Sequence, residues 1–113
     1  MEINEREVDQ SLVVSVVGSI DARTADQLLS FLRERIAGGQ SWLVLDLGQV
    51  DFMSSAGLRV IVDILRRSRE QGGDLCLASA HGGVENTLAI SGFTRVLKTY
   101  PTIEDAVASF GSE

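Results

Sequence analysis

Apolar residues along this chain follow two rhythms. Leu12–Val17 and Trp42–Leu47 are nearly continuous in apolar character and are bounded by polar or glycine residues. Runs of that length predict buried strands. Asp74–Ala80 predicts another, with Leu75, Cys76 and Leu77 at its middle. Ile3–Val8 alternates more weakly and predicts an edge strand, joined to the Leu12 strand by a turn at Asp9-Gln10-Ser11. A short extended piece is expected near Val96-Leu97-Lys98.

Between these runs the period changes to that of a helix. Ala25, Leu28, Leu29, Leu32 and Ile36 fall on one face. Thr24 precedes them with Gln27 three residues on, the spacing of a capping box. Gly38-Gly39 ends the helix, because glycine adopts the left-handed conformation without a Cβ penalty. A second amphipathic helix is predicted from about Gly57 to Gln71. It turns Leu58, Ile61, Val62 and Leu65 inward, and Arg59, Arg66, Arg67, Arg69 and Glu70 to solvent; Gly72-Gly73 stops it. A short helix over Val84–Ser91 stops at Gly92. A last helix follows Thr102, with Glu104 and Asp105 at its positive end and Ile103, Ala106, Val107 and Phe110 on one face.

The order is therefore β-β-α-β-α-β-α-β-α. Strands separated by helices imply right-handed parallel crossovers. Trp42–Leu47, apolar on both faces, belongs in a sheet covered on both sides. The expectation is an α/β fold: a mixed, mostly parallel sheet of four to five strands with an N-terminal edge strand, packed with about four helices. A chain of 113 residues fits one domain, spanning 1–113.

Composition narrows the function. With 44% hydrophobic and 23% charged residues the chain reads as globular rather than disordered. A net charge of −6 is wrong for gripping phosphate backbones, so no direct contact with nucleic acid is expected. One cysteine, Cys76, excludes an internal disulfide and fits a reducing compartment. The N-terminus lacks the basic-then-apolar layout of a signal peptide. No apolar run approaches the ~18 residues of a membrane span, so membrane insertion is not expected. These features together predict a cytoplasmic protein.

Candidate chemistry is sparse. His81, the only histidine, lies in a Gly-flanked loop. A Ser55–His81 pair is conceivable, but no Gly-x-Ser-x-Gly elbow surrounds Ser55, and a solvated loop residue is the plainer reading. One Cys and one His do not build a closed zinc site. Asp46 and Asp51 flank a strand end and are able to hold a cation or to shape a turn. No Gly-x-Gly-x-x-Gly and no P-loop occurs, so no cofactor is expected. Cys76 reads as a small buried hydrophobe. The arginines spread around a solvated helix face, except Arg59, which adjoins Ser54-Ser55. Those two hydroxyls sit where a helix begins. There, unpaired N–H groups and the helix dipole favour negative charge, and a serine is either a cap or a site for phosphate.

Three segments together resemble the STAS domain family, most closely the bacterial anti-sigma factor antagonists. They are Gly18-Ser19-Ile20-Asp21-Ala22-Arg23-Thr24-Ala25, then Leu45 through Leu58 with Val50-Asp51-Phe52-Met53-Ser54-Ser55-Ala56-Gly57-Leu58, then Gly72-Gly73-Asp74-Leu75. The resemblance runs over nearly the whole chain. It implies a non-enzymatic protein-interaction switch. Such antagonists bind an anti-sigma factor that is also a GHKL-type serine kinase, and so free the sigma factor. The kinase phosphorylates a serine at this helix start, which breaks the complex, and a PP2C-type phosphatase restores it. The family motif often reads Asp-Ser-Ser/Thr-Gly, with the first hydroxyl residue as acceptor. On this chain Ser54 stands at the Asp position, Ser55 at the acceptor and Ala56 after it. The resemblance thus assigns phosphorylation to Ser55, with Ser54 second. It assigns partner binding to Asp21, Thr24, Ser54, Ser55, Ala56, Gly57, Leu58 and Arg59. The family also serves as unphosphorylated scaffolds or subunits of larger, transporter- or sensor-associated assemblies. A sensor binding a nucleotide or lipid near the His81 loop is a further alternative.

Overall fold

Asp9 and Gln10 reverse the chain. Both have positive φ, 50° and 73°, the two-residue hairpin geometry whose twist matches that of the flanking strands. The resulting hairpin pairs β1 (Glu2–Val8) antiparallel with β2 (Ser11–Ile20), Val8 opposite Ser11. The structure is a computed structural model and describes residues 1–111. After β2 come α1 (Ala25–Ala37), β3 (Trp42–Met53), α2 (Ser55–Glu70), β4 (Asp74–Ala78), α3 (Gly82–Ser91), a 3₁₀ turn (Phe93–Arg95), β5 (Lys98–Tyr100) and α4 (Ile103–Phe110). One sheet in the order β1-β2-β3-β4-β5 results, parallel throughout except for β1. The expected α/β architecture is the one observed.

Alternate residues of the strands feed two cores. Leu43, Leu45 and Leu47 join Leu28 and Leu32 of α1, Ile61 and Ile64 of α2, and Leu88 of α3 on one face. Val13, Val44 and Cys76 meet Ala106 and Val107 of α4 on the other. At 8 residues, α4 is short. Farther along β2 and β3 the sequence changes to polar pairs. The Ser15 hydroxyl donates to Asp46 Oδ2 at 2.8 Å, and the Ser19 hydroxyl to Asp51 Oδ1 at 2.8 Å. Asp46 also accepts the Gly48 N–H at 3.0 Å. The two aspartates that the sequence offered as a cation pair are thus used to stitch β2 to β3.

Several boundaries differ from expectation. β3 runs on to Met53 and β2 to Ile20, where the sequence suggested connectors. Two register irregularities, between Ser15/Val17 and Gly18/Ser19, break the alternation that would have revealed them. α2 begins at Ser55, two residues before Gly57. Val62 is 37% exposed, while Val60 and Ile64 are buried. The buried stripe of α2 runs through Gly57, Ile61, Ile64 and Ser68, which carries position 62 off its edge. β4 ends at Ala78, and the Ser79 N–H then bonds to the Tyr100 carbonyl at 2.9 Å. The piece expected near Val96–Lys98 becomes β5 at Lys98–Tyr100, because the 3₁₀ turn occupies Phe93–Arg95.

Candidate functional site

Ser54 is the hinge between sheet and helix. Its backbone is extended, at φ −89° and ψ 175°. Its N–H donates to the Ile20 carbonyl at 2.9 Å, and its carbonyl accepts the Leu58 N–H at 3.1 Å. Its hydroxyl oxygen accepts the Gly57 N–H at 3.4 Å, a long N-cap bond. Ser54 is therefore committed on both sides. Ser55, one residue on, is the first residue of α2 and is exposed. Its hydroxyl has no hydrogen-bond partner among the described residues.

Gly57 explains why the chain enters the helix this way. A Cβ built there would stand 2.8 Å from Ile20 Cγ2 and 2.9 Å from Met53 Cγ. Only glycine lets the first turn of α2 lie this close to β2 and β3. Leu58 then buries its side chain in the core and Ala56 is half-buried. Arg59 returns to solvent, one turn after Ser55.

The β2–α1 loop forms the other side. Asp21 Oδ1 accepts the Arg23 N–H at 2.9 Å and the Thr24 N–H at 3.3 Å. Chiefly through the Arg23 N–H, these bonds hold the Asp21 carboxyl below its usual pKa. The Thr24 hydroxyl accepts the Asp21 N–H and donates to the Ser19 carbonyl, both at 2.9 Å. The capping box expected of Thr24 and Gln27 is not formed. Thr24 is itself in helical φ/ψ and its side chain makes no cap bond, because that hydroxyl is spent closing the loop behind it. The Ser54–Ile20 bond ties this loop to the start of α2. Asp21, Thr24 and the run Ser54–Arg59 thus gather where β2 and β3 end.

Beside them a groove of about 310 Å³ runs between α1 and α2, lined by Ala22, Asp26, Leu29, Ala56 and Arg59 among others. Phe52, 54% exposed, stands two residues before Ser54. Sequence reasoning did not single out Phe52, Ala22, Asp26 or Leu29. The usable signal for Phe52 was an aromatic between Val50 and Met53, the two residues that turn inward.

Other candidates lie elsewhere. His81 Nε2 is 3.1 Å from the Gly48 carbonyl oxygen. A carbonyl only accepts, so this nitrogen carries the proton and is committed to Gly48 rather than to Ser55. A larger hollow of about 520 Å³ is lined by Ser79, His81, Glu85, Thr94 and Tyr100, and includes none of Ser54–Arg59. Cys76 is buried, and burial pushes its thiol up to about 12. Among the described residues no group of three or more His, Cys, Asp or Glu is placed to hold a metal. Among the described residues no helix is long and apolar enough to cross a membrane.

Comparison with known proteins places this arrangement. The family model for the STAS domain matches residues 2–106. The Bordetella bronchiseptica protein BtrV, provisionally named as an anti-sigma factor antagonist, is 32% identical over 110 residues, covering 97% of this chain and 95% of that protein. Among solved structures, a provisionally named anti-sigma factor antagonist of Thermotoga maritima superposes with a TM-score of 0.92. Its identity is 24%, over 96% of this chain and 94% of that one. The anti-sigma factor antagonist SpoIIAA in its unphosphorylated form superposes with a TM-score of 0.84 at 17% identity, over 99% of this chain and 98% of that one. The two structures establish a shared fold, and the match to the family model over residues 2–106 makes the relationship one of sequence: this chain belongs to the STAS domain family.

Proposed function

We propose that this chain is a cytoplasmic anti-sigma factor antagonist that works as a phosphorylation-controlled interaction switch and not as an enzyme. In its unmodified form it binds an anti-sigma factor that is also a GHKL-type serine kinase, and so releases the sigma factor. Phosphorylation of Ser55 ends that binding, and a PP2C-type phosphatase reverses it. The partner meets Asp21, Thr24 and the run Ser54–Arg59. The observation that carries this reading is the contrast between two neighbours: Ser54 is bound into the cap, and Ser55 offers a free, exposed hydroxyl at the start of α2.

A flat helix start with a small hydroxyl accepts a partner surface closely. A phosphate there adds bulk and about −1.5 to −2 charge. Against an acidic partner face, the like charge costs several kcal/mol. The relation to anti-sigma factor antagonists, and the occurrence of SpoIIAA in both an unphosphorylated and a phosphorylated form, support the same reading.

The test is incubation with ATP and the serine kinase that partners this chain, followed by mass mapping. A single phosphate on Ser55, absent from Ser55→Ala, is expected. Label that persists in Ser55→Ala would exclude Ser55 as the sole acceptor and shift the assignment to Ser54.

A further inference from the structure

We propose that the anti-sigma factor kinase grips this chain with a helix of its own, laid in the groove between α1 and α2 beside Ser55. This rests on the chain binding that kinase through Ser54–Arg59. The groove adds the α1 side of the contact and the shape of the element it receives.

The groove, of about 310 Å³, has an apolar floor. Ala25 and Leu29 of α1 and Ala56 and Val60 of α2 line it, with Ala22 at its loop end. Each pair is four residues apart, one helical turn, so both helices present rows of the same spacing along the groove. Three of these five residues are alanines, and their small side chains leave the valley open. β2 and β3 are parallel, and α1 and α2 follow them onto one face of the sheet, so the two helices lie side by side. A trough between two such helices repeats at the helical turn and accepts the ridges of a third helix. Leu29 and Ala56 are half-buried and Ala22 is exposed, so this apolar floor is open to a partner.

The walls carry charges that the fold leaves unused. Asp63 is taken by Arg66 at 2.7 Å and by Arg67 at 3.2 Å. Arg69 pairs with Asp74 at 3.0 Å. Asp26 on α1 and Arg59 on α2 are exposed, and neither has an ion-pair or side-chain hydrogen-bond partner among the described residues. Asp26 also suits the positive end of α1. Arg59, near the positive end of α2, has no such use, and its match lies outside the chain. The incoming helix therefore carries an apolar side chain for the floor, a basic one toward α1 and an acidic one toward α2. Opposite charges on the two walls fix which way round the helix lies. An acidic group opposite Arg59, one turn from Ser55, is also one that a phosphate on Ser55 would repel.

Continuity assigns the groove to this partner rather than to a second copy of the chain. Ala56 and Arg59 belong both to the groove and to the run that meets the kinase. Farther along the same two helices the valley changes character, with Arg33, Glu34, Arg67 and Glu70 in its walls. The exposed Ile90 and Val96 lie on α3 and after the 3₁₀ turn, outside the groove.

The experiment uses the full chain and the purified anti-sigma factor kinase, with ADP in place of ATP so that Ser55 stays unmodified. Calorimetry compares wild type, Ala22→Trp, Asp26→Lys, Arg59→Glu and Ile90→Glu. Ala22→Trp, which closes the mouth of the groove, should weaken binding about tenfold or more. The two charge reversals should weaken it less, with a gap that narrows as salt is added. Ile90→Glu should match wild type. A photo-crosslinking amino acid in place of Ala22 should label a helix of the kinase, and one in place of Ile90 should not. That readout stands even if Ala22→Trp disturbs the fold. Wild-type affinity in Ala22→Trp and in both charge reversals, or a crosslink from position 22 into a strand or loop of the kinase, would overturn the groove and leave the Ser55 switch intact. A wild-type chain that the kinase does not bind would overturn both.

Discussion

Ser54 and Ser55 carry the same side chain and differ by a single position, yet the fold treats them oppositely. Ser54 donates its N–H to the Ile20 carbonyl and accepts the Gly57 N–H on its hydroxyl oxygen, while Ser55 keeps its hydroxyl in solvent. Replacing Ser54 by Ala should cost about 0.5–1 kcal/mol in urea denaturation, the low end for an N-cap because the bond is long. The same variant should still accept phosphate at Ser55, read by mass mapping. Gly57→Ala has a different fate. Its new methyl meets Ile20 and Met53 at 2.8 and 2.9 Å. A loss of about 1–3 kcal/mol is expected from overpacking, measured by the same denaturation. Spacing alone could not divide the two serines, because either one suits a helix start. What separates them is the bond from Ser54 to Ile20, a contact between residues 34 apart in the chain that no local pattern carries.

Elements were more legible than their ends. The continuous apolar runs marked β2, β3 and β4, and the 3.6-residue period marked α1 and α2. Gly39 and Gly72, both at positive φ, close the two helices that their sequence positions suggested. Met53 and Ile20 were hidden because bulges interrupt the strand rhythm. Thr24 was misread as a capping box because a hydroxyl at the right spacing was free, on paper, to cap; in the fold it closes the Asp21 loop. One pairing between elements was not legible at all. Arg35 of α1 reaches Glu5 of β1, with Nη2 2.6 Å and Nε 2.8 Å from the carboxylate oxygens, and stacks over Phe31. The hydrogen bond from Arg35 holds the Glu5 carboxyl below its usual pKa. A depressed carboxylate contributes stability above the ordinary range for Glu, and loses it as pH falls through the lowered value. Arg35→Gln should therefore be slightly less stable than wild type near neutrality, and the gap should close under acid conditions where Glu5 is protonated in both. Thermal unfolding at a series of pH values checks it. The effect should be small, since both side chains are partly exposed.

The whole molecule has a Cα radius of gyration of 12.6 Å, close to the ~13 Å of a compact chain this long. All five strands share one sheet, with the two cores on its faces. A single cooperative unfolding transition is expected, with equal calorimetric and van't Hoff enthalpies. Cys76 reports on that transition. It is buried between β4 and α4 and its thiol is raised to about 12, so at neutral pH almost none is thiolate. Alkylation should be slow in the native protein and should track global opening as denaturant is added. The central claim concerns one exposed hydroxyl on this rigid frame, and one measurement reaches it most directly. Wild type and Ser55→Asp are used as baits in parallel, and the retained partner is assayed for labelling of Ser55 from ATP. The account predicts a serine kinase held by wild type, with affinity for Ser55→Asp reduced about 100-fold or more. A partner held equally by both forms, and unable to label Ser55, would contradict it.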